Sequence, residues 1–351
     1  MERYCVIMAG GIGSRFWPLS KDNRPKQFLD ILGTGKSFIR ATFERFLPLV
    51  PAGHFVVVTN AAYKGLVLEQ LPELSESQVL CEPMRRNTAP CIAYATYHIL
   101  AQCPEAAIAV TPADHLVTNE PEFQRVIGKS LDFVEGNREA LMTIGIKPSR
   151  PETGYGYIEV EPAAGGTGSG IVPVKSFKEK PDLETARQFL AAGCYNWNSG
   201  IFIWSSEAIM SAFRSYLPDM VKLFDEGKPL FGTAGEQEFI DRQFGRCENI
   251  SIDYGVMERA RSRFTIAADF GWSDIGTWGS LYTHAAHDAA GNAVGGHALL
   301  VDTTASVVNV EQGYEAIVQG MDRCLVALRD HSLLVCRLDD EQQIKHWVER
   351  L

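Results

Sequence analysis

The chain opens on Val6-Ile7-Met8-Ala9-Gly10-Gly11-Ile12-Gly13-Ser14-Arg15-Phe16-Trp17-Pro18, and Arg24-Pro25-Lys26-Gln27-Phe28 follows. Tyr4 to Ala9 is a short apolar run that predicts a buried strand. Gly10, Gly11 and Gly13 come next. Glycine takes φ > 0 and lets a neighbour approach the backbone closely, and a nest of N–H groups favours an anion. Arg15 and Lys26 add positive charge, with Pro18 and Pro25 stiffening the loop. The stretch predicts a polyphosphate cradle; a plain glycine turn with two solvated cations is the alternative. Two familiar phosphate motifs fail on spacing. The dinucleotide fingerprint needs a glycine where Phe16 stands, and a P-loop ending at Gly35-Lys36-Ser37 needs one where Asp30 stands.

The surrounding composition is that of an ordinary globular protein: 351 residues, 46% hydrophobic and 22% charged. With 43 acidic against 33 basic residues the net charge is −10, which argues against nucleic acid as a partner. A local basic cleft for a small anion is compatible with that balance. No apolar run approaches the roughly 18 residues of a membrane span. The N-terminus enters a strand at once and shows no signal peptide. The expected setting is cytoplasmic, without a membrane partner. Eight cysteines are scattered without a C-x-x-C pair and read as reduced, mostly core residues rather than zinc ligands.

Residues 4–145 alternate strand and helix. Strands are predicted at 4–9, 54–59, 78–82, 107–111 and 140–145, and helices over 38–50, 61–71, 90–102 and 121–135. Near-continuous apolar strands separated by helices predict an α/β fold with a Rossmann-like, mostly parallel sheet covered on both faces. Ligands of such sheets sit beyond the carboxyl ends of the strands. From residue 152 strands at 155–160 and 172–178 flank the Gly-rich 165–170, expected to be a hairpin tip. An amphipathic helix over 183–192, an aromatic-rich strand over 195–204 and further helices follow. After about residue 290 the pattern turns to short β segments and a terminal helix. The division expected is a domain over 1–288 and a small β-rich domain over 289–351, parted near Ala289-Ala290-Gly291-Asn292.

Several later stretches carry chemistry. Glu82-Pro83-Met84-Arg85-Arg86-Asn87-Thr88-Ala89-Pro90 leads into a helix N-terminus, which favours anions, and Asn87 offers a donor and an acceptor to a base edge; a capped helix start with exposed arginines is the alternative. Asp114, in Thr111-Pro112-Ala113-Asp114-His115, stands at the end of a buried strand as a Mg²⁺ ligand beside phosphates. Asp274, in Trp272-Ser273-Asp274-Ile275, supplies a second carboxylate or, alternatively, a helix N-cap. Gly154-Tyr155-Gly156, Glu179-Lys180 and Trp197-Asn198-Ser199-Gly200 read as sugar-phosphate contacts, each with a turn, a solvated ion pair or a bulge as its alternative. Ser251-Ile252-Asp253-Tyr254-Gly255-Val256-Met257-Glu258 reads as a capped helix start.

Assembled in this order, these residues resemble the sugar-nucleotide pyrophosphorylases over about residues 4–285. The glycine loop with Arg15 and Pro25-Lys26-Gln27-Phe28 marks the family. Arg86-Asn87-Thr88-Ala89-Pro90, with Trp272-Ser273-Asp274, is similar to its guanylyltransferase branch, which makes GDP-mannose. Ser14 stands where the family often has Thr, and Arg85 where that branch often has Gly. The resemblance implies a fold of the nucleotide-diphospho-sugar transferase type, GTP and α-D-mannose 1-phosphate as substrates, Mg²⁺ as cofactor, and direct in-line attack without a covalent intermediate. By the same resemblance Gly10, Gly11, Gly13 and Ser14 hold the nucleotide, and Arg86, Asn87 and Thr88 flank the guanine. Arg15 and Lys26 steady the phosphates, Asp114 and Asp274 hold the metal, and Lys180 neutralises the attacking phosphate. Gly156, Glu179 and Asn198 hold the sugar. A homodimer is the partner state it raises, and the chain is expected to lack the isomerase domain of some relatives. The rival expectations are a guanylyltransferase for another sugar 1-phosphate, such as a manno-heptose, and a catalytically dead nucleotide-sugar-binding regulatory subunit. The latter predicts a missing Arg, Lys or Asp, and none is missing.

Overall fold

The computed structural model describes residues 1–160 and 170–351. Most of the hairpin tip expected at 165–170 lies outside the described residues. The chain forms two compact units. The first comprises Met1–Gly10, Thr42–Ala113 and Val117–Trp272; the second comprises Gly11–Ala41, Asp114–Leu116 and Ser273–Leu351. The division therefore falls elsewhere than at residues 288/289. The reason is apolar packing inside the second unit. Phe16, Leu19, Leu29 and Phe38 share a core with Trp278, Leu281, Leu325 and Ile344, so the glycine loop belongs with the C-terminal strands.

The first unit is built on a nine-stranded sheet. Its strands are β1 (Glu2–Ala9), β2 (Phe55–Asn60), β3 (Val79–Glu82), β4 (Ala106–Pro112), β5 (Leu141–Ile146), β6 (Tyr157–Val160), β7 (Ile171–Lys178), β8 (Tyr195–Ser205) and β9 (Arg263–Ala268). The spatial order is β3-β2-β1-β4-β8-β5-β9-β7-β6. The expected alternation produces the parallel set β3-β2-β1-β4. The sheet as a whole is mixed: β8 enters antiparallel between β4 and β5, and β7 runs antiparallel to β9 and β6. Apolar periodicity reports burial and not strand direction, so this insertion is invisible to it.

Helices α1 (Thr88–Gln102), α2 (Glu120–Gly136), α3 (Ser206–Tyr216) and α4 (Glu236–Gln243) accompany the sheet. Every residue of α1 from Ala89 to Ile99 is buried, as a helix that is apolar all round requires. It packs on β1, β2 and β4 and against α3. One polar element crosses this core. His98 Nδ1–H on α1 donates to Glu236 on α4, at 2.8 Å from Oε1 and 2.9 Å from Oε2. The Gln102 amide donates to His98 Nε2 at 2.8 Å, and Gly232 N–H donates to Glu236 Oε2 at 2.7 Å.

In the second unit helix α5 (Trp278–His284) precedes six strands: β10 (Ala293–Gly295), β11 (His297–Val301), β12 (Val307–Val310), β13 (Glu315–Gln319), β14 (Cys324–Arg329) and β15 (Ser332–Arg337). They do not pair in sequence order. β10, β12 and β14 stack in parallel, with β15 antiparallel on β14, while β11 and β13 form a separate parallel pair. The chain thus coils, laying successive strands alternately on two sheets around Val308, Val310, Val318 and Val326. The corner between β10 and β11 demands glycine: Gly296 has φ +84, and a Cβ there would lie 1.9 Å from the Val310 carbonyl oxygen. Short β segments are expected here from sequence; their coiling is not. Among the described residues no helix is long and apolar enough to cross a membrane.

Removing Glu236 leaves the buried His98 donor without an acceptor and also releases the exposed Gly232 N–H. Glu236→Ala should therefore destabilise the protein by about 3 kcal/mol, read as a lower urea midpoint at unchanged slope.

Candidate active site

In the second unit Lys26 gathers three separated stretches. Its side chain is 3% exposed. Its ammonium donates to the Asp114 carbonyl at 2.9 Å, to Asp114 Oδ2 at 3.0 Å and to the Asp274 carbonyl at 2.6 Å. Those acceptors match its three N–H donors. Lys26 is expected to steady phosphates; in this structure it is a buried tie between the two aspartates, which engage its donors. The rings of Phe38 and Phe16 lie 5.0 and 5.7 Å from Nζ. Burial works against the charge on Asp114, but the Lys26 ammonium, His115 and the Lys26 hydrogen bond outweigh it and hold the carboxyl below its ordinary value. Asp274 is not a helix cap. That position is taken by Thr277, whose hydroxyl accepts from Ser280 N–H. Asp274 Oδ1 instead accepts from Gly276 N–H at 3.1 Å.

The glycine loop folds tightly around this tie. Gly13 has φ +65, and a Cβ there would lie 2.6 Å from Lys26 Cβ, so only glycine fits. Gln27 donates to the Gly11 carbonyl at 3.0 Å and Ser20 to the Ile12 carbonyl. Ser14 and Arg15 follow on a single 3₁₀ turn, with Arg15 exposed. The failed P-loop spacing at Asp30 has a structural counterpart. Asp30 accepts from the N–H groups of Thr34 and Gly35, so its carboxylate stands where a P-loop would hold a phosphate. Gly10 belongs to the first unit. A Cβ on it would lie 3.5 Å from Glu82 Oε2. Glu82 is buried at the end of β3, and its Oε1 has no hydrogen-bond partner among the described residues. Burial pushes this carboxyl up to about 8, against the pull of Cys91 and Arg85.

The first unit brings the expected sugar contacts together. Glu179 and Lys180 pair at 3.0 Å, with Lys180 at φ +44. Burial acts to lower the Lys180 ammonium, but the Glu179 carboxylate outweighs it and raises it. A Cβ on Gly156 would lie 2.4 Å from Glu179 Oε2 and 3.3 Å from Asn198 Cβ; Gly156 is glycine because these two side chains occupy its space. Its carbonyl accepts from Asn198 N–H at 2.8 Å. The β5–β8 register shifts between Thr143 and Gly145, a bulge of the kind that re-aims side chains beside sites, and Asn198, paired with Gly145, borders it. Residues read as structural or not singled out also converge here. Thr143 Oγ1 donates to Asn198 Oδ1 at 2.9 Å, Asn198 Nδ2 to Asp253 Oδ1 at 2.9 Å, and Glu179 N–H to Glu258 Oε1 at 3.1 Å. The segment 251–258 resembles a capped helix start in sequence, and nothing in its periodicity separates a cap from a contact.

The Arg86-Asn87-Thr88 stretch is more occupied than expected. Arg86 donates to the Gly245 carbonyl, and the Thr88 hydroxyl accepts from Ile252 N–H. Asn87, at φ +65, caps α1 by accepting from Thr88 N–H, and Ala89 N–H donates to the Ile250 carbonyl. Pro90 lacks an N–H, and the N–H groups of Thr88 and Ala89 have partners within the protein.

The first unit carries an α/β sheet and a Glu-Lys-Asn cluster, and the second carries a glycine loop and a lysine-tied pair of aspartates. The Nucleotidyl transferase family profile matches residues 4–291, and the chain belongs to that family, an enzyme class. Among its relatives is the mannose-1-phosphate guanylyltransferase of Escherichia coli strain K12, 36% identical over 99% of this chain and 73% of the relative. The xanthan biosynthesis protein XanB of Xanthomonas campestris pv. campestris (strain ATCC 33913) is 35% identical over 99% and 72%. The crystal structure of mannose-1-phosphate geranyltransferase from Thermus thermophilus superposes with a TM-score of 0.87 at 30% identity, over 100% of this chain and 99% of that one.

Glu82 yields a pH prediction. Its carboxyl is raised on folding, so the stability it contributes is full below about 4.5 and is lost as pH rises through about 8. Glu82→Gln removes that loss. Wild type should lose more melting temperature than the variant between pH 5 and pH 9.

Proposed function

We propose that this protein transfers GMP from GTP to α-D-mannose 1-phosphate, giving GDP-mannose and pyrophosphate. The observation that carries the reading is Asp114 and Asp274 tied to one lysine, in a chain matched along nearly its whole length by mannose-1-phosphate guanylyltransferases. Its fold is of the nucleotide-diphospho-sugar transferase type with a Rossmann-like core.

A phosphate oxygen of the sugar phosphate attacks the α-phosphorus of GTP in line. The new P–O bond forms as the bond to the β-phosphate oxygen breaks, and pyrophosphate leaves with that electron pair. No protein nucleophile is needed, so catalysis rests on positioning and charge neutralisation. Gly10, Gly11, Gly13 and Ser14 cradle the nucleotide, and exposed Arg15 meets its phosphates. Arg86 and Thr88, tied to their own neighbours, shape the base side, where Asn87 sits. Lys180 neutralises the attacking phosphate, and Gly156, Glu179 and Asn198 take the sugar.

The donor set fits Mg²⁺. Asp114 stays ionised, and a pair of carboxylates completed by water and phosphate oxygens is what magnesium takes beside polyphosphates. Asp114 and Asp274 would hold the ion, which supplies neutralisation of phosphate charge. Lys26 acts through the two aspartates by fixing their backbone and one carboxylate oxygen.

Pyrophosphate release, measured for each NTP against mannose 1-phosphate and glucose 1-phosphate, should be fastest with GTP and mannose 1-phosphate. Absence of that activity overturns the reading. Asp274→Ala should lower kcat by well over tenfold, the rate equivalent of about 1.4 kcal/mol, with the melting temperature kept. Lys26→Ala should cost far more activity than Lys36→Ala, whose lysine belongs to the Asp30 turn.

A further inference from the structure

Asn198 is a two-sided group, and only one side of it is explained by the strand that carries it. Its Oδ1 accepts from Thr143 Oγ1 at 2.9 Å and from Gly200 N–H at 3.2 Å. The Gly200 N–H, which can only donate, fixes which end of the amide is oxygen and turns Nδ2 towards Asp253 Oδ1 at 2.9 Å. Asp253 opens the π-helical turn Asp253–Met257. The residue just past that turn, Glu258, accepts from the backbone N–H of Glu179 at 3.1 Å. One short segment thus reaches the Asn198 side chain and the Glu179 backbone, the two residues that border Gly156.

The arrangement carries a cost that a purely structural cap would not. Asp253 sits beside the Glu179 carboxylate. Burial first, and the Glu179 charge second, push its carboxyl up to about 7, against the pull of Lys180 and of the Asn198 amide. A helix start needs no carboxylate in such a place, since an amide or hydroxyl caps equally well. A carboxylate kept beside another carboxylate, and bonded to the amide of a ligand-facing asparagine, marks a supporting role for a site.

We propose that Asp253 is a positioning residue for sugar 1-phosphate binding, which it serves by orienting the Asn198 amide, with Glu258 holding the Glu179 backbone from the same segment. The inference rests on the assignment of Asn198 and Glu179 to the sugar. Asp253 is not a catalytic residue: it acts through Asn198, so its loss should be felt in the affinity for one substrate and not the other.

Steady-state kinetics of the full chain, with pyrophosphate release as readout, test this. Asp253→Ala should raise KM for mannose 1-phosphate by about tenfold while KM for GTP stays within about twofold. Asp253→Asn keeps an acceptor for Asn198 Nδ2 and should recover most of the loss. In an Asn198→Ala background Asp253→Ala should add little, because the group it orients is gone. The proposal is overturned if both KM values rise together, if Asp253→Asn is as impaired as Asp253→Ala, or if the two losses multiply in the double variant. Should Asp253→Ala fail to fold by its melting curve, Asp253→Ser, whose hydroxyl is too short to reach Nδ2, takes its place with the same expected split. Wild-type failure with mannose 1-phosphate but turnover of another sugar 1-phosphate would overturn the substrate assignment alone; the same KM split, read with that sugar, then decides the role of Asp253.

Discussion

One ammonium group, buried and fully engaged, sets the geometry on which the second unit depends. Lys26 Nζ joins three stretches of chain that are far apart in sequence: its own loop, the turn at Asp114 and the turn at Asp274. A buried cation is tolerable only when paired and hydrogen-bonded, and here every donor has an acceptor. The converse also holds. Two carbonyls and a carboxylate oxygen pointing at one place would be unfavourable without the cation. The glycine at position 13 follows from the same group, since any side chain there would collide with Lys26 Cβ. Glycine in this loop is as much a matter of admitting a lysine as of admitting a phosphate.

The first unit solves a different problem with equally few parts. Its candidate sugar contacts come from β8, from the end of β7 and from the turn before β6, and the segment after α4 helps to hold them. Gly156 leaves room, Thr143 and Asp253 orient an amide, and Glu258 holds a backbone. Such arrangements are precise because most of the polar groups in them have only one sensible partner.

Much of this was legible from residue order, and the rest was hidden for identifiable reasons. The parallel set β3-β2-β1-β4 shows as apolar runs because those strands are buried on both faces. The antiparallel entry of β8 does not show, because burial carries no direction. Lys26, Asp114 and Asp274 could be singled out by residue type and place. That the lysine would direct all its donors to the aspartates could not, since that depends on where three turns meet. Asp253 and Glu258 stayed hidden because a serine, an aspartate and a later glutamate describe a helix cap as well as they describe a support. At Arg86-Asn87-Thr88 the sequence suggested open donors at a helix start, and the turn 245–252 supplies the partners that close them.

The coiled strands of the second unit have a consequence of their own. In such a stack each rung is braced by the rungs on either side and by little else. Val308 and Val326 face each other across paired strands, and Leu299 lies against Ile317 in the same way. Cohesion there runs along one axis, like a column of coins, so a defect in one coil is felt by its neighbours and fades beyond them. A corner such as Gly296 is then a point of local failure, and a whole added or deleted coil is a gentler change than one misplaced methyl group.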